Sequence, residues 1–169
     1  MMKRIVGTLA CLLFCCSAFC QQDIPALIAK LNSNNISFDF KVKAVGKAGL
    51  SGSGNFSIQG KSYCVNMGGQ RIISDGATLW TIQDPQEEVY VEDAAALPSF
   101  VYDSGKLMKM LSNLSYPNGG IKGTFTSPDG KEKYDFEISH ISVKPLAPAS
   151  AFSVNTAKLG DSWIVTDLR

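Results

Sequence analysis

The residues able to do chemistry are few and sparsely placed. The one histidine, His140, follows Phe136 and Ile138 at a spacing of two, so an extended chain sets it beside apolar neighbours. No serine or cysteine motif accompanies it, and a structural or half-exposed histidine is favoured over a catalytic one. Cys64 stands between Tyr63 and Val65 with Lys61 as its basic neighbour. A reactive thiolate needs a stronger electropositive setting, so a packed thiol is expected. Gly52-Ser53-Gly54 is too short for a phosphate loop and lacks the strand-to-helix context of a nucleophile elbow. Glu87-Glu88 and Glu92-Asp93 imitate an acid pair or a calcium site, but they lie along a strand without calcium-loop spacing. Met108 and Met110 suit either ordinary packing or a deformable lining for an apolar ligand. With residues of these types so placed, no enzyme, no metal site and no cofactor are expected.

The 169 residues carry a net charge of +1 and are 45% hydrophobic, which fits one globular domain and argues against a nucleic-acid partner. Residues 1–20 stand apart. Lys3 and Arg4 precede the apolar or small run from Ile5 to Phe19, and polar Gln21-Gln22-Asp23 follows. The pattern is that of a secretory signal with cleavage after Cys20, leaving a domain over 21–169. A lipid anchor on Cys20 is the alternative, and bulky Phe19 opposes it. Four of the five cysteines fall in the signal, so Cys64 alone remains and a soluble periplasmic monomer without an internal disulfide is expected.

Along the remainder, Asp23 and Pro25 start a helix carrying Leu27, Ile28 and Leu31, and Asn32 to Asn35 end it. Ile36, Phe38, Phe40, Val42 and Ala44 then alternate with polar residues as an amphipathic strand. In the next strand Gly52 and Gly54 share a face with Phe56 and Ile58, which suits a bend or a space kept open. Strands follow near Tyr63–Met67, Arg71–Ser74, Ala77–Gln83 and Glu87–Glu92, with Asp75-Gly76 as a two-residue hairpin turn. Asp103 or Ser104 caps a second helix with the stripe Leu107, Met108, Leu111 and Leu114. Hairpin strands flank Pro128-Asp129-Gly130, and short strands are expected near Ala151–Asn155 and Trp163–Leu168. Short connections imply antiparallel pairing. The fold class is α+β: about ten strands in one strongly curved antiparallel sheet, with two helices on one side.

One ordered set of motifs goes further: Ser74-Asp75-Gly76, then Leu79-Trp80, the Asp84-Pro85 turn, and a strand ending Val89–Val91. In this order, after the strand "GSGNFSI", the chain resembles the LolA-type periplasmic carriers of outer-membrane lipoproteins. The resemblance implies an incomplete β-barrel lidded by helices over an apolar cavity that holds acyl chains. It also implies acylated lipoproteins as cargo, an inner-membrane release complex, an outer-membrane acceptor and transient membrane contact. On this reading Phe38, Phe40, Val42, Phe56, Ile58, Tyr63, Val65, Trp80, Leu107, Met108 and Leu111 line the cavity, closed on one side by residues 98–114. Where the family has a basic residue followed by proline, this chain has Gly60-Lys61, leaving Lys61 as the candidate lid latch. A binder of another lipid or amphiphile is the alternative function.

Overall fold

Asp23 opens the first helix, α1 (Ile24–Lys30), by accepting the Ala26 N–H at 2.8 Å, with Pro25 in the first turn. The computed structural model describes residues 23–46, 51–95 and 97–169; the expected signal segment and Cys20 lie outside the described residues. From Asn34 the alternating pattern takes over, and six strands run in succession. They are β1 (Asn34–Ala44), β2 (Gly52–Gln59), β3 (Ser62–Met67), β4 (Gln70–Ser74), β5 (Thr78–Gln83) and β6 (Glu88–Asp93). A 3₁₀ turn over Ser99–Tyr102 leads to α2 (Ser104–Met110), β7 (Leu111–Ser115), β8 (Ile121–Thr126), β9 (Lys133–Pro145) and β10 (Ile164–Asp167).

All ten strands form one open sheet in the order β10-β6-β5-β4-β3-β2-β1-β9-β8-β7. The fold is α+β with a mostly antiparallel sheet, but β10 runs parallel to β6, against the antiparallel expectation. The reason is the long connection 146–163, which gives the chain room for the crossover that parallel pairing requires. That connection holds 3₁₀ turns at Ala149–Phe152 and Thr156–Lys158 where a strand over Ala151–Asn155 was expected.

The register sorts the side chains onto two faces, because directly paired residues share a side of the sheet. Phe38, Phe56, Val65 and Ile72 fall in one row; Ser37, Ser57, Cys64, Ile73, Trp80 and Val91 fall in the next. On β1 and β2 the first row's face is the apolar one, and α1 packs on it: Leu31, Ile36 and Ile58 are buried together. On β4 to β6 the apolar side is the other one. There Ile73, Trp80, Ile82, Val89 and Val91 form a second buried cluster, covered by Val154, Leu159 and Trp163 of the C-terminal connection. Two cores therefore sit on opposite faces of one sheet. The connection is tied down where it starts, by paired hydrogen bonds between the Gln59 side chain and the Ala147 backbone at 3.0 and 2.8 Å.

Three local expectations change. Helix α2 stops at Met110, and Leu111 and Leu114 belong to β7 instead of a helical stripe. Leu111 is extended and pairs with Phe125 across β8, so strand pairing overrides the helical spacing. The Asp75-Gly76 turn is wider than two residues: Gly76 has φ +93° while Asp75 does not take positive φ. The Asp75 carboxylate closes it by accepting the N–H groups of Ala77 and Thr78 at 2.8 and 2.7 Å. Gly54 keeps no space open, since a Cβ there would collide with the Asn66 carbonyl oxygen; the glycine permits close approach of β3.

Candidate functional site

The apolar stripes of α1, β1 and β2 on the first face meet at one hollow. Helix α1 supplies Ile24, Leu27, Ile28 and Leu31; β1 and β2 supply Ile36, Phe38, Val42, Phe56 and Ile58. Val101, Leu107 of α2 and Leu111 of β7 close one side, and Ile121, Phe125, Tyr134, Phe136 and Ile138 of β8 and β9 form the far wall. The volume is about 410 Å³, inside the roughly 300–1,000 Å³ of small-molecule sites. Phe38 and Phe56 meet in a tilted pair with centroids 5.3 Å apart, and Tyr63 stacks behind Phe56 at 6.3 Å.

Polar orientation inside this pocket is minimal. Among the described residues Tyr134 brings the single lining hydroxyl, which donates to Glu132 at 2.7 Å. A ligand placed here meets hydrocarbon and aromatic faces, which reward apolar surface without selecting an orientation.

Of the expected lining residues, Phe38, Val42, Phe56, Ile58, Leu107 and Leu111 come together on the pocket. Tyr63 and Val65 stand one strand further along, Tyr63 packed in the buried cluster and Val65 opposite Phe56 in register. Phe40 shares their strand face, paired with Gly54 and Ile138, but is not a lining residue. Trp80 is corrected outright: it is 8% exposed in the cluster on the opposite face, because the apolar side of the sheet has switched before β5. Met108 is half-buried on α2 and outside the lining, while Met110 borders a neighbouring groove with Phe100 and Pro98.

Lys61 is exposed and forms no salt bridge among the described residues. The tie at this turn comes from elsewhere: the Tyr102 hydroxyl donates to the Gly60 carbonyl at 3.1 Å. The Gly60 N–H in turn donates to the Leu31 carbonyl at 2.7 Å, so one glycine links α1's end to the segment before α2. Partial burial raises the Tyr102 hydroxyl above its ordinary pKa.

No family model and no curated protein matches the chain.

The lining expected from the sequence omits the walls supplied by α1, β8 and β9, although both strands of the β8–β9 hairpin were expected as strands. The α1 signal was present in the helical spacing of Leu27, Ile28 and Leu31. For β9, Tyr134, Phe136 and Ile138 alternate cleanly, yet nothing local says that β9 pairs with β1. His140 leaves the apolar row that its spacing implied. A register shift opposite Ser37 to Asp39 gives His140 φ +52° and turns it outward, where its Nδ1 lies 2.8 Å from an Asp39 carboxylate oxygen. Among the described residues no hydroxyl hydrogen-bonds its other ring nitrogen. Cys64 packs against the second core, and burial raises its thiol pKa while the Arg71 charge opposes that.

Proposed function

We propose that the protein is a carrier of acyl chains, holding the tails of lipoproteins in the pocket between α1, α2 and the sheet on their way toward the outer membrane. The observation that carries this reading is the pocket's chemistry: its lining is drawn from both helices and five strands, and nearly all of it is hydrocarbon or aromatic ring. Burial of an acyl chain is worth about 0.8 kcal/mol per CH₂. A chain of about a dozen methylenes gains roughly 10 kcal/mol before ordering costs, with no polar contact required. In this reading α1 and residues 98–110 act as the lid, and the Tyr102–Gly60 hydrogen bond serves as the latch first assigned to Lys61.

The carrier role brings with it secretion by residues 1–20, a periplasmic location, a release complex at the inner membrane and an acceptor at the outer one. No helix among the described residues is long and apolar enough to cross a membrane. A second reading, a binder of another amphiphile, is favoured because no charged residue lines the pocket among the described residues, leaving nothing there to recognise a lipoprotein's head.

Mass spectrometry of apolar material copurifying with the protein separates the two. Triacylated lipoprotein supports the carrier; a free lipid or glycolipid supports the second reading. Protein that retains nothing and does not bind a fluorescent fatty acid would sink both.

A further inference from the structure

We propose that β10 is a self-pairing edge and that two copies of this chain join through it as a two-fold dimer. The open sheet has two edges, β7 and β10. The β7 edge is broken by a register shift between Ser112 and Ser115, where Asn113 takes φ +53°. Such irregularities discourage strand addition. The β10 strand carries no proline, no lysine and no register shift. Instead Ile164, Val165 and the following Leu168 are 58%, 42% and 59% exposed, and nothing covers them among the described residues. Although β10 is only four residues long, its uninterrupted apolar edge offers unpaired backbone groups to another strand.

The backbone says which groups are on offer. The Ile164 N–H donates to the Glu87 carbonyl at 2.8 Å and the Leu168 N–H to the Val91 carbonyl at 2.9 Å. Residues 164, 166 and 168 thus turn toward β6, and Val165 and Asp167 turn their N–H and C=O groups outward. A second copy laid antiparallel with its axis at Thr166 sets each Val165 opposite the other copy's Asp167. Both residues then exchange their two backbone bonds, at two symmetric positions.

In that register each Ile164 also faces the other copy's Leu168 on the same side of the sheet, an apolar cross-strand pair formed twice. Neighbouring registers fit worse. An axis at Val165 would need the Trp163 N–H, which already donates to the Gly160 carbonyl at 3.0 Å. An axis at Asp167 would set two carboxylates opposite each other. The strand's own chemistry selects one self-complementary arrangement. Because β10 lies at the far end of the sheet from β7, β8 and β9, both acyl-chain pockets stay accessible. The dimer does not depend on what those pockets hold.

Sedimentation across a concentration series is expected to show a reversible monomer–dimer equilibrium. Val165→Pro removes an outward donor and none of the bonds to β6, so it is expected to give a monomer with an unchanged circular dichroism spectrum. Cysteine cross-linking tests the register without relying on that variant. In a Cys64→Ser background, Thr166→Cys places two Cα atoms about 4.5 Å apart across the axis, within disulfide reach. Oxidation should link Thr166→Cys into a dimer and leave Val165→Cys unlinked. A monomer at every concentration without the Thr166→Cys link overturns the proposal. So does linkage at Val165→Cys alone, or an edge that pairs with a foreign extended segment but never with a second copy.

Discussion

Gly76 shows how much a single backbone position decides. Its φ of +93° excludes a β-branched side chain, and an added Cβ would come 2.9 Å from the Lys61 Cβ. Gly76→Val is expected to cost about 2–3 kcal/mol, read as a lower denaturation midpoint; an unchanged midpoint would mean the turn is not under this constraint. Beside it, the N–H groups of Thr78 and Ala77 hold the Asp75 carboxyl below its ordinary pKa. A depressed folded value means that Asp75 adds stability above the unfolded carboxylate range, near 4, and that this stability is lost as pH falls through the folded value. Asp75→Asn keeps an acceptor oxygen without the titration, so its stability should fall less steeply on acidification, as followed by thermal melts between neutral pH and about pH 3. A slope equal to that of the parent protein would assign the acid sensitivity elsewhere, for instance to Asp167, which its own Arg169 holds at about 2. The turn was legible as a turn because Asp-Gly is a strong local signal. Its width was not, because the carboxylate bonds depend on where β4 and β5 part.

At the scale of elements, the two helices are too short to stand alone. Seven residues each is below what isolated helices need. They persist because Asp23 and Asp103 cap them, because α1 packs its apolar side over β1 and β2, and because Leu107 of α2 lines the same pocket. Such segments open locally before the sheet does. Hydrogen exchange is expected to run faster in residues 24–31 and 98–110 than in β1 and β2, and to slow there when a fatty acid occupies the pocket. Tyr102→Phe should speed the exchange of residues 98–110 while changing global stability by about 1 kcal/mol or less. Equal protection in helices and sheet, indifferent to ligand, would contradict a lid. The helix starts were readable from their caps. The end of α2 was not: Leu107, Leu111 and Leu114 have helical spacing, and only the free edge of β8 converts the last two into a strand.

For the whole molecule, the governing fact is that one sheet serves two cores. The period-two pattern of each strand was legible, and it located most of the pocket's β1 and β2 walls. It could not reveal that the apolar side changes across β3 and β4, since alternation fixes which residues share a face but not which face meets which cover. That is why Trp80, in the most strongly patterned stretch, belongs to the core beneath the C-terminal connection and not to the pocket. The separation makes stability and binding independently addressable. Val89 is fully buried in the second core, so Val89→Ala should cost about 2 kcal/mol through lost burial and a residual cavity, with fatty-acid affinity unchanged in the folded protein. Phe56→Glu acts on the other side. If the pocket is open to water, the carboxylate stays hydrated, the fold persists and probe binding is lost. If Phe56 sits in a filled core, the same change buries an unpaired charge, and the protein either unfolds or holds that carboxyl neutral well above its ordinary range. Denaturation and fluorescence titration on the two variants decide the matter together. A folded Phe56→Glu protein that still binds the probe, or a Val89→Ala protein that loses binding while folded, would place the ligand somewhere other than between α1, α2 and β1.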